Sequence, residues 1–127
     1  MKISVAMIVR NEEALLERAL SSVLSADEIV VVDTGSSDST VDVARRFTDK
    51  VYTDYAWNDD FSEARNVSIE RCSGDWVVIL DADEFLEDWA HCVRALKEPP
   101  ANDPDNIEYI PLTKAISALR RIKIEAK

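Results

Sequence analysis

The chain contains only two glycines, Gly35 and Gly74. That scarcity argues against a glycine-cradled phosphate site, since neither G-x-x-x-x-G-K-[ST] nor G-x-G-x-x-G can be written with them. One histidine is present, His91, so no histidine metal set or relay can be assembled. It falls on the polar side of a helical pattern. Cys72 and Cys92 have no metal-ligand spacing and read as small buried hydrophobes. No apolar run approaches the ~20 residues that span a bilayer. The opening "MKISVAMIVRNEE" is too short for a secretory h-region and lacks a small-residue cleavage site. The expectation is a cytoplasmic protein with no integral membrane segment. Positive charge is also short: 15 Lys and Arg against 25 Asp and Glu give a net charge of -10. Such a balance disfavours nucleic acid and anionic membrane surfaces. It still permits phosphate binding through a divalent cation.

What is present is a regular alternation. "ISVAMIV" (3–9), "EIVVVD" (28–33) and "WVVIL" (76–80) are apolar runs that suit strands buried on both faces. A shorter strand is expected at 50–54. Between the first two runs, Leu16, Leu20, Val23 and Leu24 recur at helical spacing. Asn11 is a candidate N-cap there, with Glu12 and Glu13 favouring the positive end of the helix dipole. Val41, Ala44 and Phe47 mark a second helix, capped by Ser37 or Asp38. A third spans about Phe61 to Cys72 and is stopped by Gly74. Trp89, Cys92, Val93 and Leu96 mark a fourth. Residues 1–97 therefore predict a mostly parallel sheet with helices on both faces. The polar loop "PPANDPDN" then leads to strands at 107–112 and 120–125. The second alternates in period two, as an edge strand does. The chain reads as a single domain, 1–127.

Ligands of open α/β sheets bind beyond the carboxyl ends of the strands. There this sequence places Arg10, Asn11 and Glu12, then Asp33, then Asp54, then Asp81, Asp83 and Glu84. Carboxylates are hard oxygen ligands that suit Mg²⁺ or Mn²⁺. Asp81 and Asp83 repel one another unless a cation intervenes, and a cation would recruit a diphosphate. Glu84 either joins them or caps the next helix. Asp33 either closes its own turn through an Asx-type bond or accepts hydrogen bonds from a base or ribose. Arg65 is either an ion-paired surface group or a fork to a phosphate. Trp57 reads as a packing residue.

Three blocks carry a resemblance: "SVAMIVRNEEALLERALSSV", "ADEIVVVDTGSSDSTVDVARRF" and "WNDDFSEARNVSIERCSGDWVVILDADEFL". In this order they resemble the N-terminal half of the family 2 glycosyltransferases, over roughly residues 2 to 90. The resemblance implies a GT-A fold and metal-dependent, inverting transfer of a sugar from a nucleotide-diphosphate donor, often UDP-linked, to an acceptor hydroxyl. It implies that Ile8 and Arg10 line the nucleoside pocket, that Asp33 binds the base and that Arg65 approaches the diphosphate. Asp81 and Asp83 would form the D-x-D pair, with Asp83 the direct ligand of Mn²⁺ or Mg²⁺. The family's acceptor site and general base come from its second half. On this reading residues 98–127 are a loop and the start of a truncated acceptor half, and donor binding alone could survive.

Two other classes compete. A response-regulator receiver shares the length and the alternation, but carries paired acids after its first strand, where Arg10 and Asn11 stand here. A haloacid-dehalogenase-type phosphatase places its D-x-D after the first strand, not the fourth. A non-catalytic remnant that binds a nucleotide sugar is a third reading. An unpaired sheet edge also leaves a homodimer open.

Overall fold

The computed structural model of the chain describes residues 2–90, 93, 107–111 and 121–126. Its elements are β1 (Ile3–Val9), α1 (Glu13–Ser21), β2 (Glu28–Asp33), α2 (Thr40–Arg45), β3 (Val51–Tyr52), α3 (Phe61–Glu70), β4 (Trp76–Ile79), β5 (Ile107–Pro111) and β6 (Arg121–Ala126). They form a six-stranded sheet in the order β3-β2-β1-β4-β6-β5. The first four strands are parallel, while β6 runs antiparallel to β4 and β5 antiparallel to β6.

The apolar runs are buried on both faces because helices cover both. Along β1, Val5, Met7 and Val9 point to one core, shared with Leu16, Ala19 and Leu20 of α1 and Ala44 of α2. Ala6 and Ile8 point the other way, to a second core with Val30, Val32, Val77, Ile79 and Val67 of α3. Each fully buried Val or Leu stabilises the fold by about 1.5–3 kcal/mol relative to exposure. A continuous apolar run is thus what a two-sided strand requires.

Several local expectations are corrected. Leu24 is 58% exposed. Helix α1 ends at Ser21, so the helical register does not carry Leu24 back to the core. Asn11 is not the N-cap of α1. It adopts φ 52°, a left-handed conformation that Asn tolerates. Its Oδ1 accepts a hydrogen bond from Ser37 N–H at 2.8 Å. Gly74 does not stop α3, which ends at Glu70. A Cβ there would lie 2.6 Å from Ser4 Oγ and 2.8 Å from Ser4 N, so the glycine lets this loop pass against β1. β6 is not an edge strand; it lies between β4 and β5. Period-two alternation reports one wet face, which an interior antiparallel strand also has. Trp89, Ala90 and Val93 are helical, as expected for a fourth helix, and Trp89 and Val93 pack on the first core. His91, Cys92 and Leu96 lie outside the described residues.

The strand order excludes the receiver reading. In that fold type the order is 2-1-3-4-5. Here the acid-ended β4 lies beside β1, with β2 on the other flank.

Candidate active site

The order of the parallel strands reverses at β1, which is where a doubly wound sheet opens a crevice at its carboxyl edge. Register pairs Val9 with Asp33 and Ala6 with Ile79, so Asp33 and Asp81 emerge on the same edge, flanking β1. They are two strand spacings apart, roughly 10 Å from the ~4.8 Å repeat.

Two adjoining cavities occupy this edge. One, of about 300 Å³, is lined by Ile8, Val9, Arg10, Glu12, Thr34, Trp57 and Phe61. The other, of about 500 Å³, is lined by Ile8, Glu12, Leu15, Phe61, Arg65, Asp81, Ala82 and Asp83. Ile8, Glu12 and Phe61 are common to both.

The acidic end of β4 is a tight turn. Glu84 N–H donates to the Asp81 carbonyl at 3.0 Å. The Glu84 carboxylate accepts from Asp81 N–H at 2.9 Å. Buried Leu80 and Ala82 anchor the turn from below. Asp81 is left exposed and Asp83 half-buried, while Glu84 is only 7% exposed. One carboxylate oxygen from each of the three lies within 4.8 Å of the others. Glu84 thus both braces the turn and belongs to the cluster. The donor set is all carboxylate oxygen, which fits a hard divalent cation.

Arg65, on α3, faces this turn. Its guanidinium lies 3.8 Å from Asp81 Oδ1, with both side chains well exposed, which is a weak pairing. Its buried Nε has no hydrogen-bond partner among the described residues. A buried unsatisfied donor costs about 1–3 kcal/mol. The side chain as a whole is 39% exposed and lines the same cavity as Asp81 and Asp83, where a guanidinium can fork to a phosphate.

Asp33 closes its own turn. Its Oδ2 accepts from Gly35 N–H at 3.0 Å and Ser36 N–H at 2.9 Å, and Oδ1 accepts from Ser36 O–H. It is 5% exposed, and its neighbour Thr34, not Asp33, lines the smaller cavity. Asp54 does not join the edge acids. Arg71 holds it in a bidentate pair at 2.7 and 3.0 Å.

The sequence places Glu12 at the ligand-binding edge and at the positive end of a helix dipole but gives it no role in the site, and it lines both cavities. Burial, and then the charges of Asp83, Asp38 and Asp81, push its carboxyl above the usual range. Its position is set by a brace between two loops. Glu12 N–H donates to Thr40 Oγ1 at 2.8 Å and Asn11 N–H to Ser36 Oγ at 2.9 Å. In return, Ser39 N–H donates to the Glu13 carboxylate at 3.1 Å. Clustered Ser, Thr and Asp in "DTGSSDST" is the sequence signal for this brace. Its partners are remote along the chain, so the pairing itself is not legible there.

Known proteins resemble this chain in sequence and in fold. A TPR repeat-containing protein of Synechococcus elongatus is 46% identical over 104 residues, covering 79% of this chain and 25% of its own length. The glucosyl-3-phosphoglycerate synthase of Mycobacterium tuberculosis, in complex with Mg²⁺ and UDP, matches with a TM-score of 0.55 and 30% identity. That match covers 66% of this chain and 34% of the synthase. The mannosyltransferase PcManGT of Pyrobaculum calidifontis, in complex with GDP-Man and Mn²⁺, matches with a TM-score of 0.67 and 26% identity, covering 82% of this chain and 33% of that protein. The chain therefore spans a quarter to a third of the length of these proteins. No helix among the described residues is long and apolar enough to cross a membrane. The glycosyl transferase family 2 model matches residues 4–115. With the GT-A sheet, the acidic turn after β4 and that match in agreement, the chain belongs to glycosyl transferase family 2.

Proposed function

We propose that this chain binds the nucleotide-diphosphate sugar donor of an inverting glycosyl transfer, with UDP as the nucleotide. The observation that carries the reading is the meeting of Asp81, Asp83 and Arg65 on one cavity, with the Glu84 carboxylate clustered beside the two aspartates. Acids alone would repel a diphosphate. An arginine beside them suits a site in which phosphate and a cation arrive together. The M. tuberculosis synthase complex with Mg²⁺ and UDP supports this, and the mannosyltransferase complex supports Mn²⁺ as an alternative.

Asp83 and Asp81 are the residues that would hold Mn²⁺ or Mg²⁺. When bound, the cation supplies Lewis-acid neutralisation of charge on the leaving diphosphate. Arg65 orients the diphosphate and shares in offsetting that charge. Ile8 and Arg10 line the nucleoside pocket, and Asp33 fixes the turn at its rim and accepts from the base. The acceptor hydroxyl attacks the anomeric carbon opposite the diphosphate, and the bond to the diphosphate oxygen breaks. The base that takes the hydroxyl proton belongs to the acceptor half. Residues 1–97 form the donor core and 98–127 begin that half.

Calorimetry tests the reading. UDP is expected to bind with Mn²⁺ present, weakly without it, and hardly at all to Asp83→Ala. Equal binding with and without metal would defeat it. Nucleotide release from a panel of UDP- and GDP-sugars separates a transferase from a remnant that only binds.

A further inference from the structure

Trp57, in the segment between β3 and α3, and Phe61, which opens α3, form an aromatic pair whose placement packing does not explain. Phe61 is 69% exposed, the most exposed large hydrophobic side chain among the described residues. Its ring meets Trp57 edge-on, with centroids 4.9 Å apart and planes at 69°. Both rings line the 300 Å³ cavity. Among the described residues, neither core takes in Phe61 as a packing partner.

The pair is held in place. Trp57 Nε1–H donates to Asp59 Oδ1 at 2.9 Å, and Asp59 sits at φ 55°, in the left-handed region. The Asp60 carboxylate caps α3 through Glu63 N–H at 3.1 Å. Asn58 Nδ2–H reaches the Glu63 carboxylate at 2.7 Å. Each residue from 57 to 60 thus has a side chain engaged in fixing the turn that presents Phe61. Since Asp59 already accepts the indole N–H, Trp57 offers a ligand only its ring. Rigid aromatic surface without a free polar handle suits stacking.

We propose that Trp57 and Phe61 form the stacking wall for the nucleobase of the donor, an inference that rests on the donor-binding reading above. The acid and Arg65 cavity takes the diphosphate under that reading. A nucleoside joined to that diphosphate extends into the adjoining cavity, which shares Ile8, Glu12 and Phe61 with it. A cavity of about 300 Å³ is at the lower end of the range of small-molecule sites, as fits a base with its ribose. Stacking on aromatic rings tolerates any base, so the wall supplies affinity rather than base choice.

The test is calorimetry on wild type, Trp57→Ala, Phe61→Ala and Trp57→Phe, each with Mn²⁺–UDP and Mn²⁺–pyrophosphate. Both alanine variants should bind UDP about ten-fold more weakly or worse, the range of a lost base–aromatic stack. Pyrophosphate binding should stay within about two-fold of wild type, and Trp57→Phe should retain most UDP affinity. Circular dichroism of each variant verifies folding, and Trp57→Phe keeps the ring should Trp57→Ala unfold. Unchanged UDP affinity in the alanine variants overturns the inference, as does an equal loss for pyrophosphate. If the wild-type chain binds neither Mn²⁺–pyrophosphate nor Mn²⁺–UDP, the donor reading itself has failed and takes this inference with it.

Discussion

Replacing Glu28 with glutamine should destabilise the fold by about 3 kcal/mol at neutral pH. Glu28 opens β2 at the sheet edge opposite the candidate site and is 6% exposed. Its Oε1 accepts from Ser4 O–H and Ser73 N–H, each at 2.7 Å. Its Oε2 accepts from Ser73 O–H at 3.0 Å and pairs with the Lys50 ammonium. Burial alone would raise its pKa. The Lys50 ammonium and the Ser73 and Ser4 donors outweigh burial and lower it from 4.5 to about 2. A carboxylate whose folded pKa is depressed stabilises the fold above its unfolded pKa and loses that contribution as pH falls through the folded value. The shift corresponds to about 3 kcal/mol at pH 7, of which roughly half remains near pH 3.3. Lys50 is 48% exposed, so it returns to water in the variant and adds no large orphan-charge penalty. The assay is urea unfolding of wild type and Glu28→Gln across pH 7 to 3. Glutamine copies the shape of the protonated acid, so the two stabilities should converge as pH falls. A gap that is absent at pH 7, or constant across the range, would refute the reasoning.

Other contacts make further outcomes testable. Gly74→Ala should cost about 1–3 kcal/mol, because the new Cβ meets Ser4 N and the Lys2 carbonyl at under 3.0 Å and backbone must shift; thermal unfolding reads this. Gly35→Ala meets no atom within 4 Å but sits at φ 119°, so it should cost about 1–3 kcal/mol through backbone strain alone. Asn11→Ala removes the acceptor for Ser37 N–H and places alanine at φ 52°. It should lower stability by about 1–2 kcal/mol and weaken Mn²⁺–UDP binding by loosening the brace that sets Glu12. Arg65→Ala should weaken Mn²⁺–pyrophosphate binding by about ten-fold or more, the loss of a charge-assisted bond. Undiminished binding would show that Arg65 serves only its weak pairing with Asp81.

The residues themselves determined the alternation of strands and helices, and with it the acids on one edge. Runs such as "EIVVVD" and "WVVIL" have one comfortable home, a strand covered on both faces, and Asp33 and Asp81 must then emerge where those runs end. Strand order, by contrast, was decided in three dimensions. Periodicity carries no record of which strand pairs with which, so the placing of β4 beside β1, and of β6 inside the sheet, needed the fold. The same holds for side chains with two possible partners. Asp54 went to Arg71, Glu12 entered the site, and Glu28 became a buried anchor, because each answered to groups 17 to 45 residues away. Hydrogen bonds and ion pairs act over a few ångströms of space, and only the folded chain sets which charges share that space.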